Sequence, residues 1–172
     1  FKHENKKITC DNSNYWPNSL DILTTLSGEV IMDDDDSILK CNQLILFHDD
    51  INKYKAIGDV DFSQSNRVVQ CRQLVIWPDV KMKATDNSII RDSSRIIKGD
   101  SIHFYYMDSL FEKINILSNS KIITEKFTKS DSLGLLYPVT DTIQGQNINI
   151  IFNSDEKIKN FIVKGMAETK FN

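Results

Sequence analysis

The chain repeats itself, and the repeat limits what it can fold into more than any other feature. One segment reads Ile38-Leu39-Lys40-Cys41-Asn42-Gln43-Leu44-Ile45-Leu46, and three more open alike, from Val68 to Ile76, from Ile96 to Phe104 and from Thr142 to Ile150. The shared pattern is an apolar residue, Lys or Gln, Cys or Gly, any residue, an amide or hydroxyl residue, then apolar, any, apolar. Each opening is followed by a second pattern, clearest from Ile51 to Phe62 and echoed from Phe111 to Ile122 and from Ile158 to Ala167. A weaker copy runs from Met82 through Ala84 and Asp86 to Ile90, and Leu26 to Met32 resembles the tail of one more unit. From Cys41 to Cys71, Gly99 and Gly145 the steps are 30, 28 and 46 residues, the last lengthened by an insertion over 124–141. A unit near thirty residues with two short strands cannot cover its own apolar face, so such units stack.

Apolar and polar residues alternate within these segments, which places successive side chains on opposite faces of a sheet. Ile, Val, Phe and Tyr, abundant here, suit a half-buried pleated surface. Clusters at Asp33-Asp34-Asp35-Asp36, Gln64-Ser65-Asn66, Asp92-Ser93-Ser94 and Asn153-Ser154-Asp155 read as turns. Gly28, Gly58 and Gly165 fall at one repeat position inside a strand, where glycine marks a bulge or sharp bend. Asp86 and Ser118 take that place in the weaker copies. Bends there fold each unit into a V.

The expected inward set is Leu44, Leu46, Tyr54, Ala56, Val60, Phe62, Leu74, Ile76, Met82 and Ala84, continuing with Ile102, Phe104, Ile114, Ile116, Ile122, Ile148, Ile150, Phe161, Val163 and Ala167. Burying each large member is worth roughly 1.5–3 kcal/mol. Two readings of that set stand side by side: a sealed core, or an interior open enough for acyl chains.

At 172 residues the chain suits one domain, and 40% hydrophobic against 26% charged residues argues against disorder. A net charge of -3 gives no support for nucleic-acid binding, which needs a basic face. No apolar run approaches the ~20 residues of a membrane-spanning helix. The start lacks an initiator Met and a signal-peptide core, so a mature chain or an excised segment is expected. Cys10, Cys41 and Cys71 have no short paired spacing and His3, His48 and His103 are scattered, so neither a metal site nor a cofactor is expected. The Asp33–Asp36 run lacks the spaced ligands and turn glycine of a calcium loop and reads as a solvated turn. Carboxylate pairs such as Asp49-Asp50 have no cleft assigned to them. No nucleophile motif, phosphate loop or dinucleotide fingerprint occurs, and no catalytic residue is assigned. Lys53, Lys81 and Lys113 fall at equivalent outward positions on successive units. They either protect the sheet surface or face an anionic partner such as sugar phosphates.

The segment Ala56-Ile57-Gly58-Asp59-Val60, its echo Val163-Lys164-Gly165-Met166-Ala167, and the openings at Gly99-Asp100-Ser101-Ile102-His103-Phe104 and Gly145-Gln146-Asn147-Ile148 resemble the OstA-like family of lipopolysaccharide transport proteins, from about Leu20 to the end apart from the insertion. That family includes LptA, LptC and the amino-terminal domain of LptD. The resemblance implies an all-β, open-ended β-jellyroll (a β-taco) of stacked two-strand repeats, with a loosely ordered segment over 1–19 and the jellyroll over 20–172. It implies a non-enzymatic domain that binds the lipid A acyl chains of lipopolysaccharide through the inward set above. It further implies end-to-end joining with similar jellyroll domains or with copies of itself, in the periplasm, alone or associated with the outer membrane. In that oxidising compartment, Cys41 and Cys71, one repeat apart, become either a disulfide or two small buried thiols. The departures from the family are Cys41 and Cys71 where later units carry Gly, and the insertion. A polysaccharide-acting parallel β-helix enzyme or adhesin, or a purely structural β-repeat polymer, are the competing classes.

Overall fold

The computed structural model describes the chain except residues 1, 4–5, 35, 49–52, 79, 108–109, 130–135, 156 and 172, and at 2–3, 107, 110–111, 127–129 and 136–137 it describes the backbone. Among the described residues, thirteen strands form one sheet. They are β1 (Lys2–His3), β2 (Lys6–Thr9), β3 (Asn12–Tyr15), β4 (Ile22–Asp34), β5 (Ser37–Phe47), β6 (Tyr54–Gln64) and β7 (Arg67–Trp77), then β8 (Lys81–Arg91), β9 (Arg95–Met107), β10 (Leu110–Lys129), β11 (Leu136–Phe152), β12 (Ile158–Lys164) and β13 (Glu168–Lys170). Strands β4 to β12 pair in chain order, β2 and β3 both pair with β4, and β13 pairs with β11. Every pairing among the described residues is antiparallel, so the parallel β-helix alternative is overturned. The sheet does not close: its order runs from β1 at one edge to β12 at the other.

The V-shape comes from one irregularity repeated in every second strand. Between β5 and β6 the register passes from Lys40↔Asp61 to Gln43↔Ile57, three residues on one strand against four on the other. The same slip recurs at Thr85/Ser88 in β8 and Leu117/Ser120 in β10. At each slip the backbone enters the left-handed region: Gly58 and Asp59 at φ 76 and 46, Asp86 and Asn87 at 66 and 61, Ser118 and Asn119 at 56 and 51. An extra residue in such a conformation bends the strand. The bends stack and divide the sheet into a first wall (for example Gln43–Phe47 against Tyr54–Ile57) and a second wall (Ser37–Lys40 against Asp61–Gln64).

Side chains at the bends tie them to neighbouring strands and to their own backbone. Asn42 Nδ2 donates to Asp59 Oδ2 at 3.1 Å, Asn119 Nδ2 donates to Asp100 Oδ2 at 2.9 Å, and the buried Ser120 hydroxyl donates to the carbonyls of Ile116 and Gln146.

Residues 1–19, expected as loosely ordered, carry three short strands. Ile8 is buried opposite Met32, as Leu39 is from the other side of β4, and Ser13 stands opposite Leu26, as Leu44 does. Asp11 Oδ2 accepts from the Glu29 amide at the Gly28 bend. Residues 8–15 are thus a degenerate opening of the repeat, with Cys10 in register with Cys41 and Cys71. Polar Ser13 and the exposed Tyr15 replace Leu44 and Leu46, which hides the pattern in the sequence.

The 124–141 insertion extends β10 and β11 as a continuous ladder from Thr124↔Asp141 to Lys129↔Leu136, lengthening the second wall near the C-terminal end of the stack. Lys126 pairs with Asp141 across it at 2.5 Å.

A two-walled apolar interior

The inner faces of the two walls meet in one hydrophobic cluster running from Ile8 to Ile150. Of the inward set read from the sequence, sixteen residues are buried: Leu44, Leu46, Ala56, Val60, Phe62, Leu74, Ile76, Met82, Ala84, Ile102, Phe104, Ile114, Ile116, Ile122, Ile148 and Ile150. Tyr54, Phe161 and Val163 are partly buried against them. Ala167 is a correction. It matches Val60 in the repeat but is exposed, because it follows the Gly165 bend beyond the last residue of β12 and no further strand covers it. The register brings first-wall members into one row, with Leu44↔Ala56, Ala56↔Leu74, Leu74↔Ala84, Ala84↔Ile102, Ile102↔Ile116, Ile116↔Ile148 and Ile148↔Val163. Leu44, Ile102 and Ile148 therefore share one wall.

The second wall was largely missed. Leu39, Cys41, Val69, Cys71, Ile90 and Ile97 are buried and Ile143 partly so. Their signal is the apolar residue two places before the Cys or Gly of each opening. Extending the alternation back from Leu44 and Leu46 places Asn42 and Lys40 inside instead, because the bend reverses the parity of the opening strand.

The mouth between the walls is lined by polar groups from both sides. Lys6 Nζ stands 5.3 Å from the Tyr54 ring centroid and 3.8 Å from Asp34 Oδ2. The Tyr54 hydroxyl is pushed well above the ordinary tyrosine range by burial, then by the negative charge of Asp34 and by Tyr106. Burial pushes Tyr106 up to about 12, against the pull of the Arg67 guanidinium on the opposite wall. Further along, Ile90 and Ile97 of the second wall and Phe104, Ile114, Ile150 and Phe152 on the opposite side line a cleft of about 120 Å³, with Arg67, Asp92 and Arg95 at its rim. Drug-sized ligands occupy about 300 Å³ or more. A lipid with several acyl chains enters this interior only if the walls part.

Burial pushes the Cys41 thiol up to about 11 and the Cys71 thiol up to about 12. Both are free. The disulfide alternative fails on topology: β6 lies between β5 and β7, which sets the two cysteines about 9–10 Å apart, beyond the ~7 Å limit on Cα separation for a disulfide. Among the described residues no group of His, Cys, Asp and Glu is arranged to hold a metal ion, and no helix is long and apolar enough to cross a membrane. The Asp49-Asp50 pair and Asp35 lie outside the described residues.

An open-ended antiparallel sheet folded along a line of bulges into two facing apolar walls is the β-jellyroll of the LptA type. Among solved structures the chain is similar to LptH of Pseudomonas aeruginosa, the LptA-homologous periplasmic component of the lipopolysaccharide transport device, with a TM-score of 0.56 over 92% of this chain and 94% of that one at 9% identity. No family model matches the sequence, and no curated protein matches it either.

Proposed function

We propose that the chain is a non-enzymatic carrier domain that shelters the acyl chains of lipopolysaccharide between its two walls in the periplasm. In this role it hands the molecule on towards the outer membrane through similar domains joined end to end. The observation that carries this reading is the interior itself, an apolar lining carried from rung to rung between two walls of a sheet that does not close. Its likeness to LptH supports the same reading. The cleft under Arg67 and Arg95 marks where the lining already stands apart. End-to-end joining is supported by β12, whose outer edge has no strand partner among the described residues and whose Ile158 and Ile162 are exposed.

A photoreactive phenylalanine analogue placed at Phe104 or Ile150 in cells tests the proposal. Crosslinks to lipopolysaccharide from these positions, and none from the outward His103, are expected. Absence of crosslinks from the interior, or equal crosslinking from His103, would sink it and leave a sealed structural core.

A further inference from the structure

The three lysines at equivalent outward positions do not form a stack of like charges, because an aromatic ring separates each from the next. On the outer face of the first wall Trp77 pairs with Lys81, Lys81 with Tyr105 and Tyr105 with Lys113, on adjacent strands. The row continues on the other side, where the Phe47 amide donates to the Lys53 carbonyl and Lys53 Nζ lies 4.2 Å from the Phe47 ring centroid and 5.3 Å from that of Trp77. Lys81 Nζ is 4.3 Å from the Trp77 centroid and Lys113 Nζ 5.9 Å from that of Tyr105. Phe47, Lys53, Trp77, Lys81, Tyr105 and Lys113 thus alternate ring and ammonium along the rim. At the spacing of adjacent strands they span about 24 Å, with ammonium groups about 10 Å apart.

Cation–π contact orders an ammonium group but takes up none of its three N–H donors as a conventional hydrogen bond. Among the described residues no carboxylate forms an ion pair with Lys53, Lys81 or Lys113. Their donors are therefore held in place and left to solvent or a ligand. Each member of the row also lies one residue from the interior, beside Leu46, Tyr54, Ile76, Met82, Phe104 and Ile114 respectively. A molecule with its chains between the walls would present its head at this rim.

We propose that this alternating row is a binding site for an anionic saccharide, with phosphate or carboxylate groups on the ammonium groups and sugar rings against the half-buried aromatic rings. The inference deepens the carrier reading and rests on it for the orientation of the ligand, but the site has its own chemistry. The protein's net negative charge and the single file of cations disfavour a nucleic acid, which needs a broad basic face.

The test compares wild type with Lys53→Gln/Lys81→Gln/Lys113→Gln, the corresponding triple Glu variant and the triple Arg variant, each checked for an unchanged thermal melt. The probes are lipopolysaccharide, its delipidated phosphorylated oligosaccharide, that oligosaccharide after phosphatase treatment, and a fluorescent fatty acid. Expected are a loss of about tenfold or more in affinity for both phosphorylated ligands in the Gln variant, a larger loss with Glu, retention with Arg, and no change for the fatty acid. Should the Glu variant fail to fold, the Gln variant decides. Unchanged affinity for the phosphorylated oligosaccharide in the Gln variant, indifference of wild type to phosphatase treatment, or tighter binding of a single-stranded oligonucleotide would each overturn the proposal. If wild type binds the oligosaccharide in the expected pattern but no fatty acid, the rim site stands and the carrier reading falls. If it binds the fatty acid while the variants keep full oligosaccharide affinity, the reverse holds.

Discussion

Gly99 and Ile116 share one space: a Cβ on Gly99 would lie 2.6 Å from Ile116 Cγ2. Gly145 stands in the same relation to Val163 Cγ1, at 2.5 Å. In the earlier units the opening carries Cys41 or Cys71, and the residue matching Ile116 is Ala56 or Ala84. Across these four units the opening residue and its partner trade sizes, Cys with Ala in the first two and Gly with Ile or Val in the last two. This accounts for the mixture of Cys and Gly at one repeat position. Gly99→Cys is expected to cost about 1–3 kcal/mol by overpacking and Ile116→Ala about 2–5 kcal/mol by leaving a cavity. The double variant is expected to cost less than the sum, which a double-mutant cycle by urea denaturation would show. Strict additivity would discard the exchange.

The two buried cysteines are expected to resist chemistry while the protein is folded. A thiol pushed up to about 11 or 12 carries almost no thiolate at pH 8. Alkylation followed by mass spectrometry should label Cys10, which is only partly buried, well before Cys41 and Cys71, and denaturant should equalise all three. Under oxidising conditions no Cys41–Cys71 bridge should form in the native protein.

Asp92 organises the turn between β8 and β9. Its Oδ1 accepts from the amides of Ser94 and Arg95 at 3.0 and 2.8 Å, and its Oδ2 accepts from Arg95 Nε at 3.0 Å. Burial alone would raise its pKa, but the Ser94 amide, the Arg95 charge and the other Arg95 hydrogen bonds outweigh that and hold it below the ordinary carboxylate value. A depressed folded-state pKa means the stabilisation is present above the unfolded value, near pH 4, and is lost as pH falls through the folded one. Asp92→Ala is expected to cost about 1 kcal/mol at pH 7, a figure reduced for the partly exposed Arg95. The difference from wild type should shrink in melts run at pH values well below the ordinary aspartate range. A difference that persists at low pH would assign the effect to packing.

The bends make opposite predictions at equivalent positions. At Gly58, φ is +76 and a Cβ would meet Asn42 Nδ2 at 2.8 Å, so Gly58→Ala is expected to lower stability by about 1–2 kcal/mol. At Ser118 the same left-handed backbone is imposed on an L side chain, at φ 56. Ser118→Gly is expected to be neutral or stabilising by up to about 1 kcal/mol. Thermal melts of the two variants should move in opposite directions.

The first wall was legible because alternation there runs unbroken from each turn to each bend, as in Leu44 and Leu46 or Met82 and Ala84. The second strands also kept their parity across the bend, which is why Val60, Phe62 and Ile122 were placed correctly. The opening strands did not. Cys41 and Leu44 both point inward three residues apart, an odd step that no period-two pattern anticipates, so Leu39, Val69 and Ile97 escaped. Residues 8–15 escaped for a different reason: half of that opening had exchanged its apolar residues for Ser13 and Asn14, leaving only the Cys10-Asp11-Asn12 offset as a trace. Interactions between the walls, such as Lys6 with both Tyr54 and Asp34, join residues distant in the repeat and have no local signature.

The sameness of the rungs has a kinetic meaning. In the carrier role proposed above, a guest held among similar apolar shelves would gain little by stopping at any one of them, so passage from one rung to the next would be cheap. Such a track has no intrinsic arrow. In that role, net flow would have to be imposed from outside, by loading at one end of the stack and removal at the other.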